Sequence, residues 1–447
     1  MMAGKGDTIF AKASGAGKAG VSVYRLSGPA AHAISAQLVG RQIKLREAAL
    51  VALRDPKDGA IIDRGLAILF ENPKSFTGED VAEFHLHGSH AVEISLYEVL
   101  SRLGARPAEA GEFTLRALKN GKLDLAQAEA LADLIDAETT LQKKQALGQL
   151  DGRLSAVAED WRREILAVMA PLEADIDFPD EGDVPAAIAA AAGPAIARLR
   201  ESLIAFLDTS GRARTIREGV SIAIIGPPNA GKSSLVNALA GSEIAIVSDI
   251  AGTTRDIVET RLDLGGVVAA IADTAGLHGA QHDVIEAEGM RRARARAEGA
   301  DLRVAVLDPR SEFVSRETLD LLRPGDFLIW SKADLSAGIP DEAPEGVIVH
   351  QLSSKSGAGL PAFVEKLTEA VAGGANADGP ALTRARHVKA VEEAIDALAR
   401  AEANITRAPE LAAEDARLAA RALGQITGAV GVEDILGEIF SSFCIGK

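Results

Sequence analysis

The hydrophobic pattern changes along the chain, and each change marks a different kind of structure. Short apolar runs at 21–26 (VSVYRL), 65–70 (GLAILF) and 81–86 (VAEFHL) have the length and composition of strands. Residues 91–103 (AVEISLYEVLSRL) follow a helical period instead. Residues 1–122 are therefore expected to form an α+β domain.

From residue 123 the apolar positions recur at helical spacing, and a further alanine-rich helix is expected over 186–207. Residues 216–375 alternate strand and helix patterns, which predicts a parallel α/β sheet. The chain then returns to alanine-rich helix. Because segments 123–215 and 376–447 share this composition, we expect the α/β domain to be inserted into one helical domain.

The composition supports several domains and limits their partners. The chain has 447 residues, of which 47% are hydrophobic and 25% charged, enough for about three domains. Its net charge of −16 confines any RNA contact to a local basic patch. The single cysteine, Cys444, excludes an intrachain disulfide and favours a reducing compartment. Without a signal-peptide core or a long apolar run, a cytoplasmic protein with no membrane span is expected.

Residues 226–233 read Gly-Pro-Pro-Asn-Ala-Gly-Lys-Ser and fit G-x-x-x-x-G-K-[ST], the pattern of a loop that wraps phosphates. Gly226 and Gly231 allow the tight turn that brings backbone N–H groups to phosphate oxygens. Lys232 supplies a point charge for the outer phosphates, and the Ser233 hydroxyl can ligate Mg²⁺. A strand-like run precedes the loop and a helical run follows it, as this motif requires.

Further motifs follow in the order that GTPases use. Residues 252–256 (GTTRD) supply threonines that can close over Mg²⁺ and the γ-phosphate. Residues 273–276 (DTAG) end an apolar run, where Asp273 suits a Mg²⁺-bound water and the Gly276 N–H suits the γ-phosphate. Residues 331–334 (SKAD) end another run. The Asp334 carboxylate can accept from guanine N1–H, whereas adenine has an acceptor at N1, so GTP is predicted over ATP. Residues 353–355 (SSK) offer backbone N–H groups to guanine O6.

Leu277 follows the Asp-Thr-Ala-Gly motif, where many small GTPases have a glutamine that orients the attacking water. Leucine cannot bind water, so another carboxylate, a cation or a partner chain must organise hydrolysis. Asn229 points to a monovalent cation, because its side-chain carbonyl beside the phosphates can help to hold one. Glu286 and Glu288 are both candidates for positioning the water, and residue chemistry alone leaves the choice between them open.

Two clusters of ionisable residues could hold a metal ion but are better explained otherwise. His85, His87 and His90 lie near Glu83, yet no further ligands for a closed shell are evident, so we interpret them as structural or substrate-contacting. The acidic segment 175–183 (DIDFPDEGD) is interpreted as a solvated loop that ends a helix.

Beyond the generic GTPase motifs, the chain resembles the MnmE family, also called TrmE, of tRNA-modification GTPases along essentially its whole length. The segments that carry the resemblance are VSVYRLSGPA, SFTGEDVAEFHLHGS, RPAEAGEFTLRALKNGKLDLAQAEALADLIDAET, DFPDE, DIAGTTRD and FSSFCIGK. The resemblance implies a multidomain α+β and α/β protein. An N-terminal folate-binding and dimerisation domain (1–122) would precede a helical domain in two parts (123–215 and 376–447), the second with a Cys-x-Gly-Lys motif. A Ras-like P-loop GTPase domain (216–375) would be inserted between them.

The resemblance also implies a K⁺-activated GTPase that acts with an FAD-dependent partner, MnmG. Together they would modify C5 of the wobble uridine of tRNA, adding an aminomethyl or carboxymethylaminomethyl group. The one-carbon donor would be a tetrahydrofolate derivative in its 5,10-methylene or 5-formyl form, and FAD would enter only through the partner. A homodimer that forms a heterotetramer with MnmG is expected. The alternative is a GTPase switch in ribosome assembly, which the acidic flanks disfavour.

The resemblance assigns site residues one by one. Folate contacts fall on Arg25, Glu83, Lys122 and Lys447. Mg²⁺ would be held by Ser233 and Thr254, and K⁺ by Asn229, Ser248, Thr253 and the Ile250 backbone carbonyl. Catalytic roles fall on Lys232, Thr254 and Glu286. Glu286 would orient the water, so it is preferred to Glu288. The GTP-contacting set is Asn229, Ala230, Gly231, Lys232, Ser233, Ser234, Ser248, Asp249, Ile250, Ala251, Gly252, Thr253, Thr254, Asp273, Thr274, Ala275, Gly276, Ser331, Lys332, Ala333, Asp334, Ser353, Ser354 and Lys355.

Three residues depart from the family's usual pattern. Ser331 stands in place of asparagine, which is expected to weaken one polar contact around the base while Asp334 keeps the preference for guanine. Ser354 replaces an alanine, a small change. Ser89 replaces the second glycine of a His-Gly-Gly sequence and is expected to alter the loop near the folate. Cys444 matches the family's cysteine, and no catalytic role is assigned to it.

Overall fold

The computed structural model describes residues 6–177, 187–246, 259–272, 294–311, 315–335, 343–431, 433–441, 443, 445 and 446. Its contacts divide the chain into two compact units. The first contains residues 1–132, 149–199 and 390–447, and the second contains residues 133–148 and 200–389. Within the described residues, no helix combines the length and apolar character needed to cross a membrane.

The first unit contains a six-stranded sheet with the order β3-β4-β5-β2-β1-β6. Neighbouring strands are antiparallel except β1 and β6, which are parallel. The strands predicted at 21–26, 65–70 and 81–86 lie within β2, β4 and β5. The strand bounds are β1 Ile9–Lys12, β2 Ala19–Ser27, β3 Ala49–Arg54, β4 Ile61–Phe70, β5 Val81–Gly88 and β6 Arg106–Pro107.

One face of this sheet is covered by helices α1 (Ala31–Val39) and α2 (His90–Arg102). Alternate strand residues point towards them, so that Tyr24, Phe84 and Leu53 are fully buried in one core. The other face carries Arg25 and Glu83, which are paired across β2 and β5. Part of that face is open in the described structure, because Val21, Leu50 and Leu66 are 61%, 75% and 38% exposed.

Helices form the rest of the first unit. Their bounds are α3 Glu112–Lys119, α4 Leu125–Asp136, α6 Arg153–Asp177, α11 Ala385–Asn404, α12 Pro409–Thr427 and α13 Glu433–Ser441, with the first part of α7 Ala187–Glu218. Helix α12 packs closely along α6. Its buried face contains alanines at 412, 413, 416, 419 and 420, whose small side chains permit that approach.

The second unit contains a six-stranded sheet with the order β12-β11-β10-β7-β9-β8, parallel except between β8 and β9. The bounds are β7 Val220–Ile225, β8 Glu259–Leu264, β9 Val267–Ala272, β10 Leu302–Leu307, β11 Phe327–Trp330 and β12 Ile348–Gln351, with helices α5 Thr140–Leu150, α8 Lys232–Ala240, α9 Arg316–Leu319 and α10 Leu360–Ala372. Helices α8 and α10 cover one face through residues such as Leu239 and Phe363. Strands β9 (VVAAIA) and β11 (FLIW) are apolar on both faces, as a covered parallel sheet requires, whereas the antiparallel edge strand β8 (ETRLDL) alternates polar and apolar residues.

Candidate functional site

The phosphate loop predicted at residues 226–233 connects β7 to α8 at the carboxyl edge of the second unit's sheet. Gly226 has φ +143, and a Cβ there would overlap the backbone carbonyl oxygen of Val306 in the neighbouring strand β10. Gly231 has φ +105 and caps α8, with no side chain bonded to the helix N-terminus. The first N–H groups of α8 are thus not taken by a capping side chain, which favours an anion at this end.

The Lys232 side chain lies inside the curve of this loop. Its Nζ donates to the backbone carbonyls of Gly226 and Pro227, each at 2.8 Å. Ser233 and Ser234 are exposed on the first turn of α8. The motif residues therefore lie together at one helix N-terminus, where an ammonium and backbone N–H groups can neutralise phosphate oxygens.

The loop at residues 331–334, which the sequence predicts to recognise the base and which we call the base-recognition loop, follows β11 and bonds directly to the phosphate loop. The Ser331 hydroxyl donates to the Ala230 carbonyl at 2.6 Å and is 4% exposed. The Lys332 Nζ donates to the Asn229 carbonyl at 3.0 Å. The Ala333 N–H bonds to the Leu352 carbonyl at 3.2 Å. Serine at 331 thus has a polar partner in the phosphate loop itself, a contact that sequence reasoning did not anticipate.

Asp334 is exposed at the end of this loop. A hydrogen bond from the Ser353 hydroxyl is the main reason that the pKa of Asp334 lies below its usual value. Ser353 is fully buried, Ser354 is half-buried and Lys355 is exposed. An ionised carboxylate that is fixed by a neighbouring hydroxyl suits the two donors on the Watson–Crick edge of guanine.

Sequence reasoning missed Asp308, which follows β10. Its Oδ2 lies 2.7 Å from the Lys332 Nζ and 2.9 Å from the Arg310 Nη2. Hydrogen bonds from Arg310 and then from Lys332 hold the pKa of Asp308 well below its ordinary range. A cavity of about 350 Å³ opens beside these groups, with the exposed Asn229 in its lining. The only sequence signal was a carboxylate directly after a buried strand.

Several predicted residues lie outside the described part of the chain. They are Ser248, Asp249, Ile250, Ala251, Gly252, Thr253, Thr254, Asp273, Thr274, Ala275, Gly276, Leu277, Glu286, Glu288, Cys444 and Lys447. The side chains of the acidic segment 175–183 also lie outside it.

Of the residues predicted for folate binding, Arg25 and Glu83 lie in the N-terminal sheet and Lys122 follows helix α3. The Arg25 Nε donates to Glu83 Oε1 at 2.8 Å across β2 and β5. The Arg25 guanidinium lies 5.3 Å from the ring centre of Phe76 and 5.7 Å from that of Phe113. The Lys122 Nζ donates to the Pro73 carbonyl at 3.2 Å. Because Pro73 and Phe76 belong to one loop, that loop connects Lys122 to Arg25.

The histidines do not share one partner. His87 Nδ1 lies 2.9 Å from Asp63 Oδ1, and the His87 backbone N–H donates to the same carboxylate at 2.8 Å. His85 Nε2 lies 3.6 Å from Glu83 Oε2, and His90 begins α2. Among the described residues, no group of three or more His, Cys, Asp or Glu side chains could hold a metal ion.

Comparisons with known proteins cover nearly the whole chain. The model of the "GTP-binding protein TrmE N-terminus" matches residues 8–122, and that of the "MnmE helical domain" matches residues 125–444. The tRNA modification GTPase MnmE of Parvibaculum lavamentivorans is 51% identical, with 99% of this chain and 100% of that protein covered. The MnmE of Maricaulis maris is 51% identical over 98% and 99% of the two chains. The chain belongs to the MnmE family.

The family prediction from the sequence motifs is thereby confirmed. So is the predicted fold class: an N-terminal α+β domain, a helical domain and a P-loop α/β domain. Among solved structures, the cytosolic domain of L. pneumophila FeoB is 17% identical, with 49% of this chain and 93% of that chain covered and a TM-score of 0.26.

Proposed function

We propose that this chain is a K⁺-activated GTPase that modifies C5 of the wobble uridine of tRNA in the cytoplasm, together with an FAD-dependent partner of the MnmG type. A tetrahydrofolate derivative would supply the one-carbon unit. The coarser part of this assignment follows from family membership, because MnmE proteins are GTP hydrolases of tRNA modification that use GTP and Mg²⁺.

The observation that carries the GTPase assignment is the direct bonding between the phosphate loop and the base-recognition loop. Ser331 and Lys332 bond to consecutive carbonyls of the phosphate loop, at Ala230 and Asn229. One nucleotide can therefore meet Lys232 through its phosphates and Asp334 through its base. Ser233 would hold Mg²⁺ with Thr254, and Glu286 would orient the attacking water.

Asn229 supports the proposed K⁺ site. Its backbone has φ 61, a left-handed conformation, and its exposed side chain lines the cavity beside the loop. A side-chain carbonyl in that position can contribute one ligand to a monovalent cation, with Ser248, Ile250 and Thr253 as the others. The cation would stabilise the negative charge that develops on the phosphates during hydrolysis.

Arg25 and Glu83 support the proposed folate site. The Arg25 guanidinium lies near the Phe76 ring, and the second carboxylate oxygen of Glu83 faces His85. This pair therefore offers both a hydrogen-bond donor and an acceptor to a flat heterocycle. Arg25 and Glu83 remain partly exposed, at 21% and 16% of their side chains. Lys122 and Lys447 would contribute further contacts.

The open part of the same sheet face supports the proposed homodimer. Leu50 and Leu66 expose apolar side chains on the neighbouring strands β3 and β4, and Val21 does so on β2 of the same sheet. Exposed apolar side chains of this kind are typical of a protein interface. A second copy of the chain would cover them, and two such chains with the MnmG-type partner would form a heterotetramer. A Leu50→Glu variant should lower the mass observed by light scattering.

The decisive experiment measures GTP hydrolysis in K⁺ and in Na⁺, with binding of 5-formyltetrahydrofolate followed in parallel. We expect faster hydrolysis in K⁺, and folate binding that Arg25→Gln abolishes. Arg54→Gln is the matched control, because Arg54 is an exposed arginine of β3 whose bond is to the Gly59 carbonyl. Equal rates in the two salts and no folate binding would overturn the proposal.

A further inference from the structure

One residue of the phosphate loop and one of the base-recognition loop have left-handed backbones although neither is glycine. They are Asn229, with φ 61, and Lys332, with φ 56. Such conformations are uncommon outside glycine and persist only where the surroundings maintain them. The two residues are in contact, because the Lys332 Nζ donates to the Asn229 carbonyl at 3.0 Å. One hydrogen bond therefore connects the base-recognition loop to the residue that we propose as a K⁺ ligand.

Asp308 holds the ammonium that makes this bond. Its Oδ2 lies 2.7 Å from the Lys332 Nζ. Its Oδ1 accepts the Arg310 backbone N–H at 3.0 Å, so the carboxylate is anchored in its own turn with the other oxygen directed at Lys332. The side chains of Asp308 and Lys332 are 17% and 32% exposed, which limits screening of the pair by water.

We propose that Asp308 is a positioning residue for the cation site of the GTPase. It holds Lys332 against the Asn229 carbonyl, and this bond keeps the Asn229 backbone in the conformation that presents its side chain at the loop rim. The inference rests on the proposed K⁺ activation and adds to it a residue that touches neither nucleotide nor cation. Base recognition and cation binding are thereby coupled through one carboxylate.

An Asp308→Asn variant tests this assignment. An asparagine that keeps an oxygen towards the Arg310 N–H must turn its amide NH₂ towards Lys332, which has only donors to offer. The turn can therefore persist while the contact with Lys332 is lost. Should this variant fail to fold, Asp308→Ser keeps a hydroxyl acceptor for the turn and likewise lacks the charge.

Arg310→Gln is the matched control. The Arg310 side chain donates to Asp308 through Nε at 3.1 Å and Nη2 at 2.9 Å, so its replacement removes a charge partner of the same carboxylate. The bond from the Arg310 backbone N–H to Asp308 and the Lys332–Asp308 pair both remain possible. A general effect of charge near the cavity would change both variants, in opposite directions, because Asp308→Asn removes a negative charge and Arg310→Gln removes a positive one.

Two measurements are made on the full chain and on each variant. The first is the K⁺ concentration that gives half-maximal GTP hydrolysis, which we expect Asp308→Asn to raise about fivefold or more and Arg310→Gln to change less than twofold. The second is amide hydrogen exchange at residues 226–232 in the absence of nucleotide. We expect it to accelerate in Asp308→Asn and to stay unchanged in Arg310→Gln.

Faster exchange confined to residues 308–311 would show that Asp308 only forms its own turn, and would overturn the proposal. So would a half-maximal K⁺ concentration in Asp308→Asn within twofold of that of the unaltered chain. If the unaltered chain hydrolyses GTP equally fast in K⁺ and Na⁺, the proposed K⁺ activation fails, and the exchange comparison alone then decides whether Asp308 positions the phosphate loop.

Discussion

Replacement of Gly226 by alanine tests whether the phosphate loop depends on its backbone geometry as the structure implies. At φ +143, a residue with a side chain costs about 1–3 kcal/mol. The added Cβ would also lie 3.2 Å from the Val306 carbonyl carbon and overlap its oxygen, so the loop or β10 must move. Such overpacking typically costs about 1–3 kcal/mol more. Because partial relaxation is available at the loop, we expect a net loss of about 3 kcal/mol.

Trp330 provides the assay, because it is buried at the end of β11 next to the loop. The chain has two tryptophans, so a Trp161→Phe background leaves Trp330 as the only one. At about 2–4 °C per kcal/mol, the thermal transition that Trp330 reports should fall by about 6–12 °C in the Gly226→Ala variant. Displaced N–H groups should also weaken GDP binding about tenfold for each charge-assisted hydrogen bond that is lost.

Gly241→Ala is the control for this substitution. Gly241 ends α8 with φ −86, and its added Cβ would meet the nearest atom, the Asn237 carbonyl oxygen, at 3.4 Å. The thermal transition of the Gly241→Ala variant should stay within about 2 °C of that of the unaltered chain, since any residue can adopt the backbone conformation of Gly241. If Gly226→Ala matched this control in both the Trp330 transition and GDP affinity, the geometric reasoning would be refuted.

Three further predictions concern single groups. Burial would raise the pKa of Glu112, but hydrogen bonds from Arg106 and Arg116 lower it below its usual value. The ionised Glu112 carboxylate therefore stabilises the fold above about pH 4.3, the pKa of an unfolded glutamate. This stabilisation is lost as the pH falls through the lower pKa that Glu112 has in the folded chain. Glu112→Gln should therefore cost about 3–5 kcal/mol in urea unfolding at pH 7, with the difference shrinking near pH 3. Burial raises the pKa of Tyr24 to about 12 and also raises that of Tyr97. Phenolate absorbance at about pH 10.5 should consequently increase on unfolding. The stabilisation by neutral tyrosine should decline as pH rises above about 10. Asp334→Asn should shift preference from GTP to xanthosine triphosphate in a competition assay, and unaltered use of GTP would contradict the guanine assignment.

The phosphate loop and three strands of the N-terminal sheet were predictable because their signals are local. A loop that wraps phosphates needs glycines, a lysine and a hydroxyl at fixed spacing, and these occur together in eight consecutive residues. Strands β2, β4 and β5 contain continuous or alternating apolar runs. β1, with four residues, is too short to give such a pattern, although Ile9 and Phe10 are buried and β1 lies between β2 and β6.

The buried ionic network of the first unit could not be predicted. In the sequence, Arg106, Glu112 and Arg116 look like solvated charges around α3. In the fold, Glu112 and Arg116 are 3% and 8% exposed. Arg106 and Arg116 both pair with Asp7, about a hundred residues earlier, at 2.5 and 2.8 Å. Burial of a charge is tolerable only with partners, and the partners are distant in sequence.

Asp308 was missed for the same reason. An acid directly after a strand is consistent with a solvated turn, and only the fold brings it to Lys332, 24 positions later, which itself contacts the phosphate loop. The base-recognition motif suggested what Lys332 and Asp334 recognise, but not which residue keeps Lys332 in place. A positioning residue is hard to recognise in a single sequence, because several residue types at several positions can perform the same task.

The Cys-x-Gly-Lys motif was the most specific family signal, and the structure supplies a physical reason for its glycine. Ile445 forms an antiparallel bridge with Ala110, and Phe440 and Phe443 pack with Ala128 in one cluster. These contacts bring Gly446 against strand β1 with φ +100, where a Cβ would lie 2.9 Å from the Lys12 carbonyl carbon. Any other residue would push this segment away from the strand. Since β1 pairs Ala11 with Arg25, that displacement would act one strand away from the proposed folate contacts.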